Sequence, residues 1–170
     1  MTPTIISSEK KEIPFRKRSV PSAKVFVFED EISRIVDHAE YGMKDNKEVM
    51  GLLIGRFFRD DNGEYAIVDN VITSPLTAND VNVRFDEYKL ETLFDLLDAE
   101  TEKNRLVVGW YHSHLDYGCF MSETDVKTQN GLFGGECGFA LVIDPIREEL
   151  KVFDSTLNDP QSVDMIVMES

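Results

Sequence analysis

The chain has 170 residues, 42% of them hydrophobic, and a formal net charge of −14. That length suits one domain of about 100–200 residues, and the apolar content excludes a disordered chain and supports a buried core. An acidic body repels nucleic-acid phosphates and favours a basic protein partner, although the same charge also serves plain solubility.

Residues 1–23 carry five basic residues against two acidic ones, a net of +3 that leaves the remainder near −17. They read as a flexible basic arm. The arm has no apolar core of signal-peptide type, and no run of 18 or more apolar residues suggests a membrane span. A cytoplasmic address is the default, with the nucleus as the alternative for a eukaryotic chain. Residues 24–28 (KVFVF) read as a short strand. From about Asp30 a helix follows, because Ile32, Ile35, Val36, Ala39 and Met43 recur at helical spacing. The triplet KDN ends it, and His38 falls off its apolar face and is expected to be exposed.

Residues 48–58 (EVMGLLIGRFF) form an apolar, β-rich run, and DDNG turns it into EYAIVDNVI. Residues 73–84 are irregular and are the natural candidate for a flexible flap. A helix over about 86–102 places Leu90, Leu93, Phe94 and Leu97 on one face. RLVVGWYHSH then reads as a buried strand, LDYGCFM as a loop, and a short helix starts near Ser122. GFALVIDP and ELKVFD are two further strands, and the last dozen residues are ambiguous. Strands and helices alternate without a strict βαβ order, which gives an α+β (mixed α/β) class. Cys119 and Cys137 are too few for a disulfide scaffold and form no CxxC pair, so two buried thiols are expected.

The chemistry lies around His112 and His114. In a strand, residues two apart share a face, so both imidazoles can reach one ion. Two unpaired imidazoles are also poorly placed at the end of so apolar a strand. Asp125 follows with Ser122 three residues before it, a spacing that equally reads as a helix cap. Two histidines and a carboxylate would leave the fourth tetrahedral position for water, as in catalytic zinc sites. Cys119 and Asp116 are rival third ligands on chemistry alone. Glu48 opens an otherwise apolar strand, where a salt-bridged strand end and a general base are both open readings.

EVMGLLIG, followed some sixty residues later by VVGWYHSHLDYGCFMSETDVKTQ, resembles the JAMM (MPN-plus) metalloprotease family. Its signature is a glutamate, then His-x-His, seven residues, Ser, two residues and Asp. Here Glu48, His112, His114, Ser122 and Asp125 meet it, and the resemblance spans roughly residues 24–154. Leu115, Phe120 and Glu123 stand where the family usually has proline, tryptophan and glycine; none of these changes removes a ligand. Within the family the flanks look most like the deubiquitinase subunit of the proteasome lid and the deneddylase subunit of the signalosome, without their long C-terminal helices. A compact archaeal homologue or a stand-alone catalytic domain is therefore expected.

The resemblance implies a curved, mainly antiparallel sheet flanked by helices, with a catalytic domain over 24–156 and a tail of uncertain structure over 157–170. It implies one zinc ion per chain on His112, His114 and Asp125, Glu48 as general base and Ser122 as oxyanion donor. The implied reaction is isopeptide hydrolysis that releases ubiquitin or a ubiquitin-like modifier from lysine. Candidate partners are such conjugates, the proteasome or a second MPN protein, with no nucleic acid or membrane. The alternatives are a relative that cleaves a sulfur-carrier protein or a linear peptide, and a non-catalytic MPN scaffold.

Overall fold

The computed structural model describes residues 13–73, 87–133, 138–154 and 160–170. Within them the chain runs β1 (Ala23–Phe28), α1 (Glu29–Lys44), β2 (Met50–Asp60), β3 (Gly63–Ile72), α2 (Glu87–Glu102) and β4 (Leu106–Ser113). It continues through α3 (Glu123–Phe133), β5 (Phe139–Asp144), β6 (Glu149–Asp154) and β7 (Gln161–Met168). Apart from Thr73, the flap expected over 73–84 lies outside the described residues, as does Cys137.

These elements make an α+β fold with one mixed sheet that closes on itself in the order β1-β3-β2-β4-β5-β6-β7. The sheet is mixed, with antiparallel pairings in the majority. β2–β3, β2–β4, β5–β6 and β6–β7 are antiparallel, but β1–β3, β1–β7 and β4–β5 are parallel. The ambiguous C-terminal residues supply the closure. β7 pairs with β6 on one side and β1 on the other, so both of those strands gain a second partner.

Helix α1 follows its apolar spacing: Ile35 and Ala39 are fully buried. Glu29, Asp30 and Glu31 in its first turn meet the positive end of the helix dipole. Asn46, at φ 54°, takes the left-handed turn that stops the helix. The β2–β3 hairpin closes at Asp60 opposite Gly63, as the DDNG turn predicts. Residues 13–22, read from sequence as part of the basic arm, run along this hairpin. Arg16 N donates to Arg59 O at 2.9 Å, and Arg59 N to Pro14 O at 3.1 Å. The Arg18 guanidinium binds both Asp60 oxygens at 2.6 and 2.7 Å and lies 4.6 Å over the Tyr65 ring.

Residues 50–55 of β2, 108–111 of β4 and 139–143 of β5 form an unbroken apolar centre because both faces of the sheet are covered there. Leu53, Tyr111, Leu141 and Ile143 pack with Ile35 and Ala39 of α1. Leu52, Trp110, Ala140 and Val142, alternating with them, pack with Phe133 of α3 and Leu97 of α2. Full burial of each large apolar side chain contributes roughly 1.5–3 kcal/mol. Gly51 allows the Tyr111 ring to cross β2, since a Cβ there would lie 2.2 Å from it. The two-residue period puts His112 and His114 on the Trp110 face, the side on which α3 packs.

Candidate metal centre

Strand β4 ends in His112, Ser113 and His114, and α3 delivers Asp125 from its first turn. Their facing atoms form a nearly equilateral triangle. The two Nε2 atoms are 3.2 Å apart, and Asp125 Oδ2 lies 3.1 Å from His112 Nε2 and 3.2 Å from His114 Nε2. Tetrahedral zinc ligands at about 2.0–2.1 Å from the ion stand roughly 3.3–3.4 Å from one another. The donor set therefore fits such an ion with only a small expansion.

Protonation makes the same point. His114 Nδ1 lies 2.8 Å from the Gly118 carbonyl, which can only accept, so Nδ1 carries the proton. A neutral His114 then turns a bare Nε2 lone pair toward the anionic Asp125 oxygen. Only positive charge reconciles them: a second proton on His114, or a metal ion. Burial opposes the charge on Asp125, but the hydrogen bonds from His112, His114 and the Ser122 amide outweigh it and hold its carboxyl well below the usual carboxylate range. Burial pushes His112 down. At His114 burial acts the same way, yet Asp125, the Gly118 carbonyl and the charge of Glu48 reverse it and raise the ring.

The frame around the triangle is well defined. Trp110 stacks on His112 at 4.4 Å and 19°, while His112 Nδ1 has no hydrogen-bond partner among the described residues. That ring is thus held by stacking and by the contacts of its Nε2 alone. Trp110 Nε1 donates to Gln129 Oε1, and Gln129 Nε2 donates to the Gly138 carbonyl at 3.3 Å. Gln129 sits one helical turn beyond Asp125, so this bond ties the strand of the histidines to the helix of the aspartate. Sequence gives no sign of that tie, because a glutamine in a helix usually faces water.

Ser122 caps α3 reciprocally with Asp125. Ser122 Oγ accepts from Asp125 N at 3.1 Å, and Asp125 Oδ2 accepts from Ser122 N at 2.9 Å. The cap thus fixes the same carboxylate that closes the triangle, so a capping role leaves a ligand role open to Asp125. Glu48 lies two residues before Met50, which stands opposite His112 at the start of β2, and its charge acts on the His114 ring. Ser113 fixes this end of the ladder. Its amide donates to Val49 O at 3.0 Å, and its Oγ accepts from Val49 N at 2.7 Å. This buried serine, hidden between two histidines, is another residue that sequence reading passes over.

The rival ligands stand apart. Cys119 is buried among apolar residues, and burial pushes its thiol up. Asp116 points to Arg147 at 3.3 Å with its side chain 64% exposed. Among the described residues, the group able to hold an ion is His112, His114 and Asp125. His38 corrects an expectation: it is half-buried, with Nδ1 2.7 Å from the Tyr111 hydroxyl. Beside the triangle, Tyr117 stacks on His114 at 4.4 Å and Phe120 lies 5.2 Å from it. Each of these two aromatic residues is 44% exposed.

Residues 22–132 match the family described as JAB1/Mov34/MPN/PAD-1 ubiquitin protease. The chain is 43% identical over 115 residues to COP9 signalosome complex subunit 5 of Caenorhabditis elegans, covering 65% of this chain and 29% of that protein. It is 33% identical over 125 residues to ubiquitin carboxyl-terminal hydrolase RPN11 of Saccharomyces cerevisiae, covering 72% of this chain and 39% of that protein. The chain thus spans between 29% and 39% of the length of these relatives. The solution structure of protein DSY2949 from Desulfitobacterium hafniense shares the fold, with a TM-score of 0.63 at 18% identity over 86% of this chain and 94% of that one.

Proposed function

Because the chain belongs to the JAB1/Mov34/MPN/PAD-1 ubiquitin protease family, we propose that it is a zinc-dependent isopeptidase that removes ubiquitin or a ubiquitin-like modifier from lysine conjugates. The observation that carries this reading is the triangle of His112 Nε2, His114 Nε2 and Asp125 Oδ2. Two imidazoles and one carboxylate suit zinc, whereas magnesium and calcium take mostly oxygen ligands. His112, His114 and Asp125 would hold one such ion per chain. A non-catalytic scaffold has no need of such a set.

A zinc ion held there would supply Lewis acidity, lowering the pKa of water to roughly 7 and polarising a carbonyl oxygen. The residues supply the rest. Glu48, whose charge acts on the His114 ring, takes the proton of the attacking water on a carboxylate oxygen and returns it to the departing lysine amine. Ser122 uses one lone pair to cap Asp125 N, which leaves its O–H free to donate to the carbonyl oxygen as negative charge develops there. Tyr117 and Phe120 offer an apolar surface beside His114 on which an extended Gly-Gly tail can lie. Association with a second MPN protein or a proteasome-type assembly is part of the same proposal, suggested by the relatives' names.

The test is a panel of lysine-linked ubiquitin-like conjugates, a sulfur-carrier fusion and linear peptides, each with and without a strong chelator. Chelator-sensitive cleavage at the isopeptide bond is expected. Cleavage of linear peptides alone would replace the isopeptidase with a general zinc peptidase. A zinc-loaded protein that cuts nothing in the panel would favour the scaffold.

A further inference from the structure

The loop that follows β4 holds the His114 ring and carries Tyr117 and Phe120, and it is itself held by one buried carboxylate. Asp144, the last residue of β5, has no exposed surface. Its Oδ2 accepts from Gly118 N at 2.8 Å, and its Oδ1 accepts from the amides of Asp116, Ile146 and Arg147, each at 3.1 Å. A carboxylate has about four lone-pair sites, so main-chain donors alone satisfy this one and offset the cost of burying its charge. Asp116 at φ 71° and Gly118 at φ 86° are both left-handed. These turns bring their amides into a concave, anion-binding arrangement, and an aspartate keeps such a φ only where its surroundings fix it.

Two short paths run from this end of β5 to His114. The Ile143 carbonyl accepts from His114 N at 2.8 Å. Gly118, whose amide sits on Asp144, places its own carbonyl 2.8 Å from His114 Nδ1. From the solvent side, Arg147 Nε donates to the Asp116 carbonyl at 3.1 Å and to its carboxylate at 3.3 Å. The ring of a metal-binding histidine is normally oriented by whatever accepts its other N–H; here that acceptor belongs to a loop whose shape depends on Asp144.

We infer that Asp144 is a positioning residue for the metal centre: by anchoring the Asp116–Gly118 turn it fixes the ring orientation and Nδ1–H tautomer of His114, and it sets Tyr117 and Phe120 beside the site. The inference rests on the zinc reading above, but part of its test does not. Asp144→Asn keeps the side-chain shape while removing the charge and turning an NH2 group toward four donors. In the folded variant, zinc affinity, measured by competition with a chromophoric chelator, should fall by roughly 10–100-fold. Nitrogen-15 NMR of the metal-free protein, at a pH high enough to leave His114 neutral, should show its ring passing from the Nδ1–H form to a mixture, and KM should rise as the aromatic pair loosens. A folded Asp144→Asn protein with wild-type zinc affinity and a single Nδ1–H tautomer would overturn the inference.

If Asp144→Asn does not fold, Arg147→Ala decides. That side chain is 47% exposed, and its loss frees the same turn from outside while the buried carboxylate stays in place. A smaller fall in zinc affinity with a mixed His114 tautomer is expected, and wild-type values for both would overturn the inference. A wild-type protein that binds no zinc would defeat the metal reading alone, because the tautomer measurement needs no metal.

Discussion

Ser122 does two jobs in this account, and Ser122→Ala separates them. The substitution deletes the bond from Asp125 N to Ser122 Oγ but keeps the one from Ser122 N to Asp125 Oδ2, since the latter uses the main-chain amide. Asp125 therefore stays oriented and the ion should be retained. Loss of a serine cap costs about 1 kcal/mol, which for a chain of this size lowers the thermal midpoint by about 2–4 °C. Loss of an oxyanion donor lowers kcat by roughly 10²–10³. The cap cannot mimic that loss: 1 kcal/mol placed entirely in the barrier is worth only about fivefold in rate. Thermal melts, zinc stoichiometry and steady-state kinetics on one preparation supply all three numbers. A lowered midpoint with normal kcat would refute the oxyanion role and leave Ser122 a cap. Ser122→Asp is a sharper variant, keeping a capping acceptor while placing negative charge where the oxyanion forms; it should fold and be inactive.

Glu48→Gln should keep its zinc and its fold while losing roughly 10²–10⁴ in rate; near-normal turnover in the zinc-loaded variant would remove Glu48 as the base. Gln129→Ala leaves the Trp110 N–H buried without its acceptor, so it should destabilise by roughly 1–3 kcal/mol. A wild-type urea midpoint would show the tie between α3 and β4 to be idle. The Arg18 guanidinium beside Asp60 holds its carboxyl well below the usual carboxylate range. The stabilisation is then present above the unfolded value of about 4 and is lost as pH falls from there toward the lower folded value. Asp60→Asn should be less stable at neutral pH and should lose less on acidification below about pH 4; parallel pH profiles for the two proteins would exclude Asp60 from the acid response.

The elements were legible where one local rule decided them. The helical spacing of Ile35 and Ala39, the DDNG turn and the unbroken apolar run before His112 each have a single reading, and the structure places elements there. The closure of the sheet was not legible. QSVDMIVM becomes a strand only because β6 and β1 both have an edge for it, a long-range circumstance that its own residues do not record. The candidate site divides in the same way. Strand geometry alone puts His112 and His114 on one face, whereas choosing Asp125 over Cys119 and Asp116 needed the family resemblance. The supporting residues stayed hidden for a common reason. Ser113, Gln129 and Asp144 act through main-chain groups or across elements, so their roles appear only when the chain is folded.

The central claim is a catalytic zinc on His112, His114 and Asp125. Native mass spectrometry and an isopeptide cleavage assay on the same purified preparation test it most directly. One zinc per chain is expected in active protein, with both zinc and activity lost in a folded Asp125→Ala variant and both retained in Cys119→Ser. Active protein without metal, or zinc that survives Asp125→Ala but is lost in Cys119→Ser, would contradict the account.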